Sequence, residues 1–346
     1  MAASKTSKGA SRAVTRGFTG VLGHARGIGV LRAQQQSQRL AHAYCLTGDE
    51  GIGKTAVARA LGEELLLGPG QPARLDVHPD FWSDDRPEAI SIDEIRFHPE
   101  KGAQAHEQSL QQFLSLKPFV AAQRVGLLAN AERMTEAAQN CLLKTLEEPP
   151  PNTVLVLTTA YPDHLLPTVV SRCQTIALTP VSRSALVAWL VDRGTASDRA
   201  EGIASLAQGR PGLALHALQD PRWVEASDRW GREISALAFE PTDSVLAYAS
   251  RFGQGPQAEQ RVIASEALRA LTSWLRDALL VQSGTALPMA TERRDALIHW
   301  TGAVPADHLR TSLAAAQRTQ LLIDQNVNPR LAMEVMLLDF RLGARV

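Results

Sequence analysis

The sequence predicts an α/β domain followed by an all-α half. Three observations carry this. From about Gly20 to Pro180 short apolar runs alternate with helical patterns, which implies a largely parallel sheet covered on both faces. One of those runs enters a glycine-rich loop that opens a helix. After Pro180 the strand signals stop and only helical periodicity continues. At 346 residues the chain exceeds what one core normally serves, so two or three domains are expected.

The elements follow in order. Residues 1–17 read as a basic tail: the run MAASKTSKGASRAVTR holds four basic residues, no acid and no apolar h-region, so it is expected to be disordered and solvated, with weak nucleic-acid contact as the alternative. His42 to Leu46 reads as the first strand and Thr55 to Leu67 as a helix that Gly68-Pro69-Gly70 stops. Ala89 to Ile92 reads as a second strand, with Asp93 capping the helix after it. Val125 to Leu128, Thr153 to Thr158 and Thr175 to Leu178 complete a five-stranded sheet. Between the third and fourth strands, Thr135 to Glu148 is a helix with Ala138, Cys141, Leu142 and Thr145 on one face; Pro149-Pro150-Pro151 ends it. Beyond the sheet, Ser182 to Arg193 is a Ser-capped amphipathic helix, and Ile203 to Leu218 forms a helical unit around Gly209-Arg210-Pro211-Gly212. Leu321 to Leu342 is a last helix broken at Asn328-Pro329.

Composition narrows the function classes. The formal net charge is zero, so the whole molecule is not an electrostatic trap for nucleic acid, although a local basic face stays open. Cys45, Cys141 and Cys173 form no Cys-x-x-Cys pair, which argues against a disulfide framework or a zinc site and for three small buried hydrophobes. No apolar run approaches membrane-spanning length, so no membrane partner is expected and the compartment is expected to be the cytoplasm.

Gly48-Asp49-Glu50-Gly51-Ile52-Gly53-Lys54-Thr55 matches G-x-x-x-x-G-K-T, and it lies after an expected strand and before an expected helix. Gly48, Gly51, Ile52 and Gly53 would turn backbone N–H groups around phosphate oxygens, Lys54 would reach the β- and γ-phosphates of ATP, and the Thr55 hydroxyl would bind Mg²⁺. A loop kept for structure and rarely occupied is the alternative. The third strand then departs from the pattern of a hydrolase. Hydrolysis needs a carboxylate to hold Mg²⁺ and a group to orient water, yet the strand ends in Ala129 and Asn130. Glu132 lies two residues further on and is expected at the solvated surface. The chain is therefore expected to bind ATP without turning it over. Arg172, in Ser171-Arg172-Cys173, is expected on the far side of the sheet from the loop; there it is either a surface ion pair or an arginine finger for a neighbour.

At this point the residues resemble a known family. Leu40-Ala41-His42-Ala43-Tyr44, the GDEGIGKT loop, His78-Pro79-Asp80, Ile92 to Arg96, Phe113 to Pro118, Ala131 to Met134, NCLLKTLEEPPPNT over 140–153, SRC over 171–173 and Asn326 to Leu331 are similar to segments of the delta-prime subunits of bacterial clamp loaders, AAA+ proteins of the DNA polymerase III holoenzyme. The resemblance implies an AAA+ nucleotide-binding domain over 18–180, a small helical lid over 181–219 and a helical collar over 220–346. It implies that Arg172 is a finger acting in trans on ATP held by the adjacent ATPase subunit. It places a γ-phosphate sensor at Thr158 or Thr159, where a strand-end hydroxyl bonded to backbone is the other reading. The implied partners are the gamma/tau and delta subunits, through collar and AAA+ domains, the sliding clamp, and the DNA backbone inside the assembled loader only. The implied process is DNA replication by a DNA-directed DNA polymerase.

Departures limit the carry-over. The four-Cys zinc module that such subunits often carry has no counterpart, because Leu67 to Pro79 contains no Cys. The lid arginine of the ATPase subunits falls near Gly212 or Leu213, with Arg210 earlier. The stretch FHPEKGAQAHEQSLQQ over 97–112 is longer than usual and reads as a polar insertion whose His98 and His106 are solvated. A gamma/tau-type ATPase would need acids at 129 and 130. An independent P-loop NTPase would need its own metal-holding acid and substrate site.

Overall fold

The computed structural model describes residues 17–67, 74–86, 88–97, 108–284, 291–324 and 327–342, and the chain divides into two compact units between Val181 and Ser182. The tail over 1–16, the stop at 68–70 and most of the 97–112 stretch, His98 and His106 included, lie outside the described residues.

The first unit runs α1 (Ala25–Gln36), β1 (Ala43–Thr47), α2 (Lys54–Leu66), β2 (Phe81–Asp84), α3 (Ile92–Ile95), α4 (Leu110–Ser115), β3 (Arg124–Leu128), α5 (Glu136–Glu147), β4 (Thr153–Thr159), α6 (Pro167–Val170) and β5 (Gln174–Ala177). The five strands pair in parallel in the order β2-β3-β4-β1-β5. The period of two along each strand separates two cores. Tyr44, Leu46, Val125, Leu127, Val154 and Val156 pack with α1 and α2 on one face. Ala43, Cys45, Leu128, Leu155 and Leu157 pack with α4 and α5 on the other. The expected five-stranded parallel sheet followed by helices is the observed architecture.

Four local expectations are corrected. The second strand is Phe81–Asp84, not Ala89–Ile92; Ile90 makes only an isolated bridge to Met134, and Ser91, not Asp93, stands at the start of α3. The true strand was hidden by its acids. Asp80 and Asp84 bracket Phe81-Trp82-Ser83 and break the apolar pattern, yet both are buried. Asp84 is bound by Arg86 Nη2 at 2.6 Å, while the Asp80 carboxylate accepts backbone N–H groups of Phe119, Val120 and Ala121 at 2.6, 2.7 and 2.9 Å. On α5, Gln139 takes the buried place expected for Cys141, because its amide is satisfied: Nε2 donates to the carbonyls of Met134 and His164, and Oε1 accepts from Leu166 N–H at 2.7 Å. Cys141 and Cys173 are half-buried rather than buried, whereas Cys45 is buried; burial pushes the Cys45 thiol up to about 11 and the Cys173 thiol to about 12.

The second unit contains α7 (Arg183–Asp192), α8 (Ser197–Ala207), α9 (Pro211–Gln219), α10 (Pro221–Ala236), α11 (Thr242–Ala249), α12 (Gln257–Gln282), α13 (Thr291–Thr301), α14 (Ala306–Asp324) and α15 (Pro329–Asp339), with no strand among its described residues. The expected unit over 203–218 is two helices, separated where Gln208 and Gly209 take φ of 50° and 76°. The break at Asn328-Pro329 is as expected; Asn328 Oδ1 caps α15 by accepting from Leu331 N–H at 3.2 Å. The core gathers around α12, whose Ala264, Leu268, Leu271, Trp274 and Leu275 are buried. No helix among the described residues is long and apolar enough to cross a membrane.

Candidate nucleotide site

Strand β1 lies inside the sheet between β4 and β5, and the glycine-rich loop leaves its C-terminal end at Thr47 to enter α2 at Lys54. Gly48 and Gly53 have φ of 142° and 107°, a region closed to most side chains. A Cβ on Gly48 would also meet the carbonyl O of Leu178 at 2.7 Å, so the loop packs directly on the chain leaving β5. Lys54 is buried, and its Nζ donates to the carbonyls of Gly48 and Asp49 at 2.7 and 2.9 Å. Burial lowers the Lys54 pKa, and the negative charges of Glu132, Glu50 and Asp49, in that order, oppose the shift. His24, at the start of α1, reaches the same loop: Nε2 donates to the Ile52 carbonyl at 2.9 Å. Burial lowers its pKa against that hydrogen bond, so the ring is favoured neutral, and Nδ1 is buried without a partner. The residues present fit a nucleoside triphosphate. The loop has the glycine geometry of a phosphate cradle at a helix N-terminus, and its lysine is satisfied by carbonyl oxygens that an anion can replace.

The next strands bring the remaining expected residues to the same edge of the sheet. Register pairs Thr47 with Thr159 and Leu128 with Leu157. Ala129 is buried, its N–H donating to the Asp84 carbonyl at 2.8 Å. Asn130 is left-handed at φ 51° and exposed, and its N–H donates to Thr158 Oγ1 at 3.0 Å. Thr159 Oγ1 accepts from Tyr161 N–H at 3.0 Å. Both hydroxyls thus bond backbone, one of the two roles open to them; each oxygen accepts, which leaves its own proton for another acceptor. No carboxylate stands at the end of β3.

Glu132 is where the structure departs most from the sequence reading. It is not a solvated surface residue. The 3-10 turn Ala131–Arg133 folds it back toward β4, where Oε1 accepts from Ala160 N–H at 3.2 Å, and Oε2 is buried without a hydrogen-bond partner. Its charge acts on Lys54 more than those of the loop's own Asp49 and Glu50 do. The available signal was the turn: a residue two past a strand end can double back over the neighbouring strand.

Arg172 stands at the opposite edge. It lies two residues before Gln174, which pairs with Tyr44 near the start of β1, while the loop follows the end of that strand. A four-residue span of strand is roughly 13 Å, so the expectation that Arg172 lies away from its own loop agrees with the register. Its Nη2 pairs with Glu147 Oε1 at 2.6 Å, and Nη1 donates to the Thr168 carbonyl at 3.0 Å; the side chain keeps 36% of its surface exposed. The ion pair that spacing suggested is therefore present. Arg210 sits at the N-terminal boundary of α9, with Nε donating to the Ala207 carbonyl at 3.3 Å.

Comparison with known proteins shows the family of the chain. A family model described as DNA polymerase III, delta subunit, matches residues 23–182. DNA polymerase III subunit delta′ of Bacillus subtilis is 31% identical over 182 residues, 49% of this chain and 52% of the relative. That of Escherichia coli is 30% identical over 209 residues, 56% and 59%. In these two comparisons the chain spans little more than half the length of the relatives it matches. With subunit delta′ of Yersinia pestis the similarity extends over 335 residues at 30% identity, 90% of this chain and 92% of the relative. A likeness carried along nearly the whole of both chains, sheet and helices alike, means that this chain belongs to the family of DNA polymerase III delta′ subunits.

Proposed function

We propose that this chain is a clamp-loader subunit that binds Mg·ATP without hydrolysing it and offers Arg172 to the ATP of a neighbouring ATPase subunit. The observation that supports this most is a separation. The phosphate loop is complete at one edge of the sheet, the end of β3, one strand removed from β1 along that edge, leads into Ala129 and Asn130, and a half-exposed guanidinium stands at the other edge. Bound ATP would supply triphosphate charge for Lys54, and Thr55 would hold its Mg²⁺. With no carboxylate at 129 or 130 to manage metal and water, turnover falls by orders of magnitude.

Residues 18–180 then act as the AAA+ domain, 181–219 as a lid and 220–346 as a collar that packs against the collars of gamma/tau and delta subunits. The assembly acts on the sliding clamp during DNA replication in the cytoplasm, touching DNA through backbone phosphates without base readout. Zinc takes no part. Thr158 or Thr159 senses the γ-phosphate with its remaining hydroxyl proton.

The test is a reconstituted loader carrying Arg172→Ala. DNA-stimulated ATP hydrolysis should fall, since a finger is worth ~10³–10⁵ at the site it serves, while assembly on a sizing column stays intact. An unchanged rate overturns the finger, and brisk turnover by the isolated chain overturns the non-hydrolysing role.

A further inference from the structure

Glu132 poses a question that the proposed function does not answer. A half-buried carboxylate holds one oxygen on Ala160 N–H and keeps the other out of solvent without a partner. A buried carboxylate oxygen without a hydrogen-bond partner is costly. The oxygen stands where three chain segments of the phosphate site converge. Ala160 follows Thr159, which pairs with Thr47, the residue that leads into the glycine-rich loop. Asn130, beside Glu132 in the same turn, is bonded to Thr158. Lys54 feels the Glu132 charge ahead of every other acid around it.

We propose that Glu132 is the acid that holds the divalent cation of a bound nucleoside triphosphate, in place of the pair absent from 129 and 130. This deepens the proposed function and rests on its reading that the loop takes Mg·ATP. The chemistry suits the position. A hard cation takes oxygen ligands and keeps several waters, so a carboxylate can serve it directly or through a water. The assignment also explains binding without turnover. One carboxylate is present for the metal, while Asn130, at the site of the second, can donate and accept hydrogen bonds but cannot take a proton from water.

A rival role makes the opposite prediction. If Glu132 only offsets the charge of Lys54 in the empty site, its negative charge repels a triphosphate, and removing it strengthens binding with or without metal. If it holds the cation, removing it weakens binding only when metal is present. The experiment is calorimetric titration of the full chain with ATP, in Mg²⁺ and in EDTA, for the wild type, Glu132→Gln and Lys54→Ala. The expected result is that Glu132→Gln loses about 10-fold or more of the Mg·ATP affinity, in the range seen when outer-sphere partners of a metal are removed, and loses none in EDTA. Lys54→Ala should abolish binding in both. Equal strengthening of Glu132→Gln in both buffers, or an unchanged Mg²⁺ dependence, overturns the assignment while leaving nucleotide binding in place. Absence of binding by the wild type in both buffers overturns the nucleotide reading itself, and this assignment with it. Matched thermal melts of wild type and Glu132→Gln separate a binding effect from a folding one.

Discussion

Replacing Asp80 with Ala should cost about 3 kcal/mol, and the number follows from what the carboxylate holds. Its side chain has no solvent exposure, and it accepts three successive backbone N–H groups, from Phe119, Val120 and Ala121, at 2.6 to 2.9 Å. Arg124 Nε stands 3.6 Å away, and that guanidinium also donates to the carbonyls of Lys117 and Phe113 and lies over the Phe113 ring. Truncation leaves three donors without an acceptor, at roughly 1–3 kcal/mol each. The loop lies at the surface, with Phe119 80% exposed, so water can reach the freed groups and the lower end of that range applies. Arg124 keeps its carbonyl partners, which also argues against the upper end. About 3 kcal/mol corresponds to a fall in Tm of roughly 6–12 °C for a unit of this size. The assay is thermal unfolding of wild type and Asp80→Ala across pH. Burial alone would raise the Asp80 pKa, but the three N–H donors and Arg124 overcome it and hold it low. A depressed carboxylate contributes stability that is present above its unfolded value of about 3.9 and lost as pH falls through the folded value. The gap between the two proteins should therefore be full at neutral pH and close in strong acid. A cost under about 1 kcal/mol, or a gap that does not narrow in acid, would refute the reasoning.

Three further outcomes are expected. Asp277→Ala in α12 removes a buried acid that pairs with Arg293 at 2.9 Å and accepts from Ser205 Oγ; Arg293 retains Asp228, so the loss should fall at or below the ~3–5 kcal/mol of a broken buried pair, read as a lower denaturant midpoint. His24 has a lowered folded pKa, so its contribution is present above its unfolded value of about 6.5 and lost as pH falls through the folded one; His24→Gln should flatten the decline of Tm on that limb, and an unchanged slope counts against a buried neutral ring. Lys54→Met spares the desolvation of an ammonium but takes a donor from the Gly48 and Asp49 carbonyls and a counter-charge from Glu132, so its cost should stay below the ~3–5 kcal/mol of a broken buried pair while ATP binding is abolished; a larger destabilisation would make the lysine structural.

What was legible in the sequence divides by how local the cause is. The glycine-rich loop was legible because its pattern is a backbone requirement: Gly48 and Gly53 need positive φ, and nothing distant has to be known. Strands β1, β3 and β4 were legible because they are buried on both faces and read as apolar runs. Strand β2 was not, since Asp80 and Asp84 serve as internal acceptors for a loop and an arginine that only the fold brings near. Gln139 is illegible for the same reason: its three partners come from two other segments of chain. Glu132 is not legible, because distance along the chain suggests distance from the site, whereas a single 3-10 turn reverses it.

These cases separate two reasons for a phosphate loop to persist beside a strand without acids. Gly48 is required by packing alone, since any Cβ would strike the Leu178 carbonyl at 2.7 Å, so glycine there says nothing about a ligand. Lys54 is different. Its ammonium is buried at a cost, bonded to two carbonyls of its own loop and compensated by Glu132 from another strand end, with a third N–H donor left over. A methionine would fill the space without a charge to desolvate. The same holds for Glu132, whose second oxygen finds no partner in the protein. A buried ammonium and a half-buried carboxylate, each with a hydrogen-bonding position left open by the fold, lie close to one site. On the proposed reading a triphosphate would complete the first and its cation the second, and the loop would be a binding site whose chemistry ends at occupancy.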